Sequence, residues 1–175
     1  AEALGQNDPI LAKIIKRIPE PKTIVPNPIF HDLMACIVDQ QIPYRSTKNT
    51  FERLLTKAEI SKLTQDNFEQ FESLSLKTIK LSESKYETIS RVLDNWSDLP
   101  KNWNDLPDAD VRKALKQIKG IGPWTQDMLL LYTLQRPSIF PADDYHLKML
   151  MPGLYNLNPT SRLKAQMKEI AVNWE

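Results

Sequence analysis

Cysteine and histidine are scarce in this sequence, which has one cysteine, Cys36, and two histidines, His31 and His146, among 175 residues. A single thiol excludes a disulfide within the chain and an iron–sulfur cluster held by four thiolates. These three side chains also cannot complete a typical zinc site without several carboxylates. The composition therefore predicts a protein of a reducing compartment with no structural metal held by side chains.

Charge of one sign and long apolar runs are also lacking. The 23 Lys and Arg residues nearly balance the 22 Asp and Glu residues, for a net charge of +1, which excludes a histone-like basic protein and an acidic tail. No window approaches ~18 uninterrupted apolar residues, and no basic segment followed by an apolar core opens the chain, so neither a membrane span nor a signal peptide is predicted. We expect one globular domain, or at most two small lobes around one cleft.

Glycine is rare, with 4 residues, whereas proline occurs 13 times. Few glycines and many prolines between apolar residues at helical spacing indicate short helices joined by stiff corners. No sustained period-two alternation is present, so the sequence predicts an all-α fold. The predicted helices cover residues 9–18, 28–40, 46–58, 82–96, 108–118, 123–134, 144–151 and 161–174. We expect Asp8 to cap the first of them, and the apolar helix 123–134 to be central and buried.

Two of the four glycines lie in the segment Ile118–Thr125, between two predicted helices. Gly120 and Gly122 flank Ile121, and Pro123 opens the next helix. We expect both glycines to permit positive φ and Ile121 to fix the loop to the core. Backbone amides at the start of the next helix would then form an anion site suited to a nucleic-acid phosphate. A plain corner between two helices is the alternative.

About twenty residues further on, adjacent carboxylates, Asp143 and Asp144, follow a proline. One of them can be the N-cap of the next helix, which is the commonest role of Asp there. The functional alternative is a carboxylate at the mouth of a cleft near the hairpin. Residues 111–175 contain nine Lys and Arg against five Asp and Glu, which favours a polyanion partner on this half of the chain. Random variation of surface charge explains this excess equally well.

The hairpin Lys-Gly-Ile-Gly-Pro-Trp-Thr, a leucine-rich helix and Phe-Pro-x-Asp-Asp together resemble the helix-hairpin-helix DNA glycosylase superfamily. Within it, the sequence is most similar to the AlkA-type 3-methyladenine DNA glycosylase II group. Three further segments support this resemblance: Asp8–Leu11, Ile37–Ile42 and Leu81–Lys85. Asp39 and Lys80 stand where the family usually has glycine. The resemblance extends, in order, over residues 8–174.

The resemblance implies a two-lobed helical bundle with a cleft between the lobes. The expected lobes are residues 28–125 and residues 1–27 together with 126–175. Relatives continue after Trp174 through another helix, so we expect the C-terminal helix of the family to be missing here. The implied activity is hydrolysis of the N-glycosidic bond of alkylated purines in duplex DNA, by base flipping and attack of water assisted by a carboxylate.

Site residues are implied position by position. Asp144 matches the catalytic aspartate, with Asp143 as capping or polar support. Trp124 stands where bifunctional glycosylase/lyases have a nucleophilic lysine, which implies an enzyme without lyase activity. The implied base pocket consists of Trp124, Gln40 and Tyr145. Gln41 is the implied wedge. The implied phosphate-binding hairpin consists of Gly120, Ile121, Gly122 and Thr125.

The resemblance also implies partners and conditions. Family hairpins hold a monovalent cation through backbone carbonyls, which here belong to Lys116, Ile118 and Gly120, and no other cofactor is implied. The partner is double-stranded DNA that contains damaged bases. The protein is expected to be monomeric, and cytoplasmic at a bacterial nucleoid or else nuclear.

Two other functions stay open at this point. A mismatch, deaminated-base or oxidised-base glycosylase of the same superfamily is one, although the missing cluster cysteines and hairpin lysine argue against the commonest such types. A non-catalytic helix-hairpin-helix DNA-binding module is the other. Asp144 argues against it, because an acid beside DNA phosphates weakens binding.

Overall fold

A computed structural model describes residues 2–19, 25–40 and 50–174. The all-α prediction is confirmed, since these residues form helices and connecting turns and include no strand. None of their helices is long and apolar enough to span a membrane. The α-helices are α1 (Glu2–Asn7), α2 (Pro9–Ile15), α3 (Ile29–Asp39), α4 (Thr50–Lys57), α5 (Phe68–Leu74), α6 (Glu83–Asn95), α7 (Asp108–Lys116), α8 (Pro123–Met128), α9 (Tyr145–Tyr155) and α10 (Leu163–Ala171).

The chain divides into two compact units. The first comprises Ala1–Val25 and Arg136–Glu175, and the second comprises Pro26–Gln135. The second boundary falls ten residues later than the lobe boundary expected from the sequence. The reason is that α8 continues into a π-helical turn, Leu129–Thr133, which packs against α3 of the second unit.

The first unit is organised around the buried carboxylate of Asp8. Its Oδ1 accepts the amides of Ile10 and Leu11 at 2.8 and 3.0 Å, which confirms the predicted N-cap of α2. Its Oδ2 accepts the Tyr155 hydroxyl at 2.8 Å and the Trp174 indole N–H at 2.9 Å. One side chain thus ties the start of α2 to the end of α9 and to the C-terminal turn.

The second unit is built on α3, which contacts α4, α6, α8 and the π-helical turn. An aromatic cluster surrounds its first half; for example, the Phe30 and Trp96 rings meet edge to face at 4.9 Å. His31 is also part of this core, because its Nδ1 accepts the amide of Leu63 at 2.9 Å. Burial lowers the pKa of His31, which favours the neutral imidazole that this hydrogen bond requires.

The segment 123–134 is not one uniform buried α-helix. The α-helix ends at Met128 and the π-helical turn follows. Although Leu129 and Leu130 are fully buried, Tyr132 is 55 % exposed, so the segment has one solvent face. The wider turn explains the difference, because it displaces the side chains after Met128 from the regular 3.6-residue spacing.

Candidate active site and nucleic-acid interface

The predicted hairpin lies between α7 and α8. Beyond Lys116 the backbone tightens into short turns, in which the Ile121 amide donates to the carbonyl of Ile118 at 3.1 Å. Ile121 is only 5 % exposed and fixes the turn to the core, as the sequence predicted. An ion pair of 2.7 Å between Arg112 of α7 and Asp127 of α8 joins the two helices. The hairpin is therefore held on both sides of its turn.

The two hairpin glycines have different roles. Gly120 adopts φ +106°, and a Cβ on it would lie 2.0 Å from Oγ1 of Thr88. Gly122 is the N-cap of α8 with φ −86°, and nothing lies within 4 Å of a Cβ placed there. The expectation of positive φ at both glycines is therefore wrong for Gly122. The close approach of α6 to the turn requires glycine only at residue 120.

Gly120→Ala is expected to lower the free energy of unfolding by about 2–4 kcal/mol, because it combines backbone strain with overlap on Thr88. Gly122→Ala is the matched control. It should change that free energy by less than ~1 kcal/mol, in either direction. Denaturant unfolding of both variants measures the difference. Equal losses for the two variants would contradict the assigned geometry.

Gln40 and Thr125, predicted for the base pocket and the hairpin respectively, are in direct contact. Nε2 of Gln40 donates to Oγ1 of Thr125 at 3.0 Å. Thr125 is 1 % exposed, so its side chain offers no accessible surface to a phosphate. Trp124 is half-buried in the first turn of α8. Gln41, the predicted wedge, lies outside the described residues.

The C-terminal end of α3 carries a second long-range contact. Nζ of Lys85, in the first turn of α6, donates to the carbonyl of Val38 at 2.7 Å. A lysine at this end of a helix stabilises the last carbonyls and the negative pole of the helix dipole. Burial lowers the pKa of Lys85.

Asp39, beside this contact, is in an unfavourable environment. Its Oδ1 is buried without a hydrogen-bond partner among the described residues, and a carboxylate at a helix C-terminus opposes the dipole. Burial raises the pKa of Asp39 to about 6, against the opposing effect of Lys85. The folded chain therefore binds a proton at Asp39 more tightly than the unfolded chain does.

Asp39→Asn is expected to stabilise the protein at neutral pH. Because the pKa of the folded state lies above the ordinary value of 3.8, the native state loses stability as pH rises from about 4 to 7 and Asp39 ionises. Asn mimics the neutral acid, so the variant should gain about 1–2 kcal/mol over the natural chain at pH 8 and almost nothing at pH 4. Unfolding free energies at both pH values test this. A constant difference, or a variant less stable at pH 8, would contradict it.

The adjacent acids in the first unit have distinct partners. Oδ1 of Asp144 accepts the amides of His146 and Leu147 at 2.9 and 3.1 Å, so Asp144 is the N-cap of α9. Asp143 forms ion pairs with Lys148, at 3.2 Å, and with Lys164 of α10. Hydrogen bonding to Lys164 lowers the pKa of Asp143, with a smaller contribution from Lys148.

This assignment partly changes the sequence expectation. The sequence predicts capping or polar support for Asp143, and the structure gives it polar support, whereas Asp144 is the cap. The reason is that the turn places Asp144 directly before α9, where its carboxylate meets the first free amides. Tyr145, predicted for the base pocket, is 65 % exposed, and its ring lies 5.5 Å from that of His146.

The predicted cation site consists of backbone oxygens in the hairpin. Lys116 ends α7, Ile118 and Gly120 follow in the turn, and the Ile118 carbonyl gives one of its two lone pairs to Ile121. Carbonyl oxygens suit a hard cation, so the donor chemistry fits a monovalent ion. Among the described residues, no group of three or more His, Cys, Asp or Glu side chains can hold a metal.

Sequence reasoning did not assign roles to Thr88 or Lys85. A lysine in the first turn of a helix opposes the helix dipole, so Lys85 offered a weak signal of a remote partner. Thr88 offered none, since it contacts the hairpin glycine only through packing of α6 beside the turn.

Known proteins that resemble this chain in sequence include DNA-3-methyladenine glycosylases. No protein-family model matches the chain. A DNA-3-methyladenine glycosylase of Bacillus subtilis is 41 % identical over 68 residues, which is 38 % of this chain and 22 % of that protein. DNA-3-methyladenine glycosylase 1 of Schizosaccharomyces pombe is 21 % identical over 150 residues, which is 83 % of this chain and 66 % of that protein. The chain thus spans less than two thirds of the length of these relatives.

Solved structures share the fold over almost the whole chain. The Bacillus halodurans DNA-3-methyladenine glycosidase superposes with a TM-score of 0.70 and 23 % identity, covering 99 % of this chain and 81 % of that one. The S. pombe 3-methyladenine DNA glycosylase, solved in complex with abasic DNA, gives a TM-score of 0.73 and 21 % identity, covering 98 % and 91 %. The chain is therefore similar in sequence to DNA-3-methyladenine glycosylases and shares the fold of two solved enzymes of that type.

Proposed function

We propose that the chain is a base-excision DNA glycosylase that hydrolyses the N-glycosidic bond of alkylated purines in duplex DNA. The observation that carries this proposal is Asp144, placed as the N-cap of α9 about twenty residues after the Gly120–Gly122 turn. That order of hairpin and aspartate occurs in a fold shared with a glycosylase solved on abasic DNA. We assign the chain to the AlkA-like type on the motifs that resemble that group.

The chemistry needs little from the protein beyond a well-placed carboxylate. A base inside a duplex must be flipped out before its glycosidic bond can be reached. An alkylated purine is cationic and leaves readily, so the developing charge is on the sugar, which becomes oxocarbenium-like. The Asp144 carboxylate would stabilise that positive charge and orient or deprotonate the attacking water. Its two amide hydrogen bonds supply the fixed orientation that such a group needs.

The other predicted residues are assigned accordingly. Trp124, Gln40 and Tyr145 would contact the flipped base, and Gly120–Gly122 would contact a phosphate of the duplex. A cation on the carbonyls of Lys116, Ile118 and Gly120 would neutralise charge at the hairpin. The partner is duplex DNA with a damaged base, bound by a monomer.

Base release from a panel of single-lesion duplexes tests this function. We expect excision of at least one alkylated purine by the natural chain, and no strand cleavage at the abasic product, because Trp124 cannot form a Schiff base. Borohydride trapping at an abasic site serves as the lyase control. High-yield covalent trapping would contradict the monofunctional assignment. Tight duplex binding with no release from any lesion would instead identify a DNA-binding module.

A further inference from the structure

The contact between Gln40 and Thr125 joins two parts of the predicted site. The two residues are 85 positions apart in the chain, and Nε2 of Gln40 donates to Oγ1 of Thr125 at 3.0 Å. Gln40 follows the end of α3, and Thr125 belongs to the first turn of α8 after the hairpin. Because the Thr125 side chain is buried, its hydroxyl serves the interior of the unit and not a bound phosphate.

The backbone that carries Gln40 is fixed as well. Gln40 leaves the helix with φ −52° and ψ 133°, and two residues earlier the carbonyl of Val38 accepts Nζ of Lys85 at 2.7 Å. α6 therefore holds the last turn of α3, while α8 holds the side chain that follows it. The last turn of α3 and the side-chain amide of Gln40 therefore each have a hydrogen-bond partner from another helix.

We propose that Thr125 is a positioning residue, whose hydroxyl holds the side-chain amide of Gln40 in the orientation that the flipped base meets. This proposal rests on the proposed function, since it takes Gln40 as a residue of the base pocket. It gives Thr125 a role other than binding phosphate. Helix α8 then sets the position of Gln40 in the base pocket through one hydrogen bond.

The test compares single-turnover rates of base release with duplex affinity. Thr125→Val removes the hydroxyl at nearly constant volume and should slow release about 10-fold or more, since small misplacements of positioned groups have effects of this size. The dissociation constant for the duplex should stay within about twofold, because ground-state binding does not depend on this contact. Thr125→Ser, which keeps the hydroxyl, should restore most of the rate. Gln40→Ala combined with Thr125→Val should be no slower than Gln40→Ala alone, because both changes remove the same interaction.

Thr133→Val is the matched control. Thr133 is another buried threonine of the same segment, and its hydroxyl donates to Oδ2 of Asp32 at 2.7 Å. Loss of this hydrogen bond should lower the free energy of unfolding without a comparable change in the rate of base release. The proposal is overturned if Thr133→Val slows release as much as Thr125→Val, if the effects of the Gln40 and Thr125 changes multiply, or if Thr125→Val weakens duplex binding as much as it slows release.

Failure of the proposed function would look different. In that case the natural chain would release no base from any lesion. The same variants would then be compared by their thermal midpoints. If the shifts caused by the Gln40 and Thr125 changes do not add, the two side chains are coupled and Thr125 does position Gln40. Additive shifts would overturn it. An active natural chain with multiplying effects contradicts the positioning role alone.

Discussion

Asp144→Asn is expected to slow base release by at least ~10²-fold, the size of effect seen when a single electrostatic stabiliser of a transition state is removed. Duplex affinity should be equal or higher, because the change removes a negative charge that would lie near DNA phosphates in the proposed complex. Folding should be nearly unaffected, since Asn is as good an N-cap as Asp and can keep the amides of His146 and Leu147 bonded. The variant therefore separates chemistry from both binding and stability.

The neighbouring acid provides the control for this experiment. Asp143→Asn loses the ion pairs with Lys148 and Lys164, so it should affect stability more than Asp144→Asn does and chemistry much less. Single-turnover release, duplex affinity and denaturant unfolding are to be measured on both variants. An inactive Asp143→Asn beside a fully active Asp144→Asn would reverse the assignment of the pair.

Asp8→Ala is expected to give the largest loss of stability, about 3 kcal/mol or more. The substitution removes four hydrogen bonds at once and leaves the Tyr155 hydroxyl, the Trp174 indole N–H and two helix amides without their acceptor. Asp8 is 6 % exposed, so water cannot readily replace the lost partner. Asp8→Ser keeps an acceptor for the helix amides but not for the two aromatic groups, and should lose roughly half as much.

The contribution of Asp8 also depends on pH. Burial by itself would raise the pKa of Asp8, but hydrogen bonds from Leu11, Trp174, Tyr155 and Ile10 hold it below its ordinary value of 3.8. A lowered folded-state pKa means that this stability is present above pH 3.8 and is lost as pH falls further. The difference between the natural chain and Asp8→Ala should therefore narrow below about pH 4. A difference that stays constant down to pH 2 would contradict the role of the ionised carboxylate.

Much of the fold could be predicted because its signals are local. The spacing of apolar residues predicted the helices α2, α3, α6 and α7, and the Asp-Pro pair predicted the cap of α2. Helix periodicity and capping act within three or four residues, so a single sequence carries them. The short helix α5 was not predicted, since its own buried residues, such as Phe71, pack against partners distant in sequence.

In the candidate site, too, local features could be predicted from the sequence and long-range contacts could not. The sequence by itself determined the all-α class, the hairpin with its buried Ile121, and Asp143 and Asp144 as the candidate acids. Only the tertiary structure decided that Gly120 and not Gly122 needs to be glycine, that Asp144 is the cap, and that Gln40 is held by Thr125 while Lys85 holds Val38. The physical reason is range: Thr88 lies 32 residues from Gly120, and the two polar contacts span 47 and 85 residues. Contacts of that length depend on how α3, α6 and α8 pack together, which no local pattern of residues specifies.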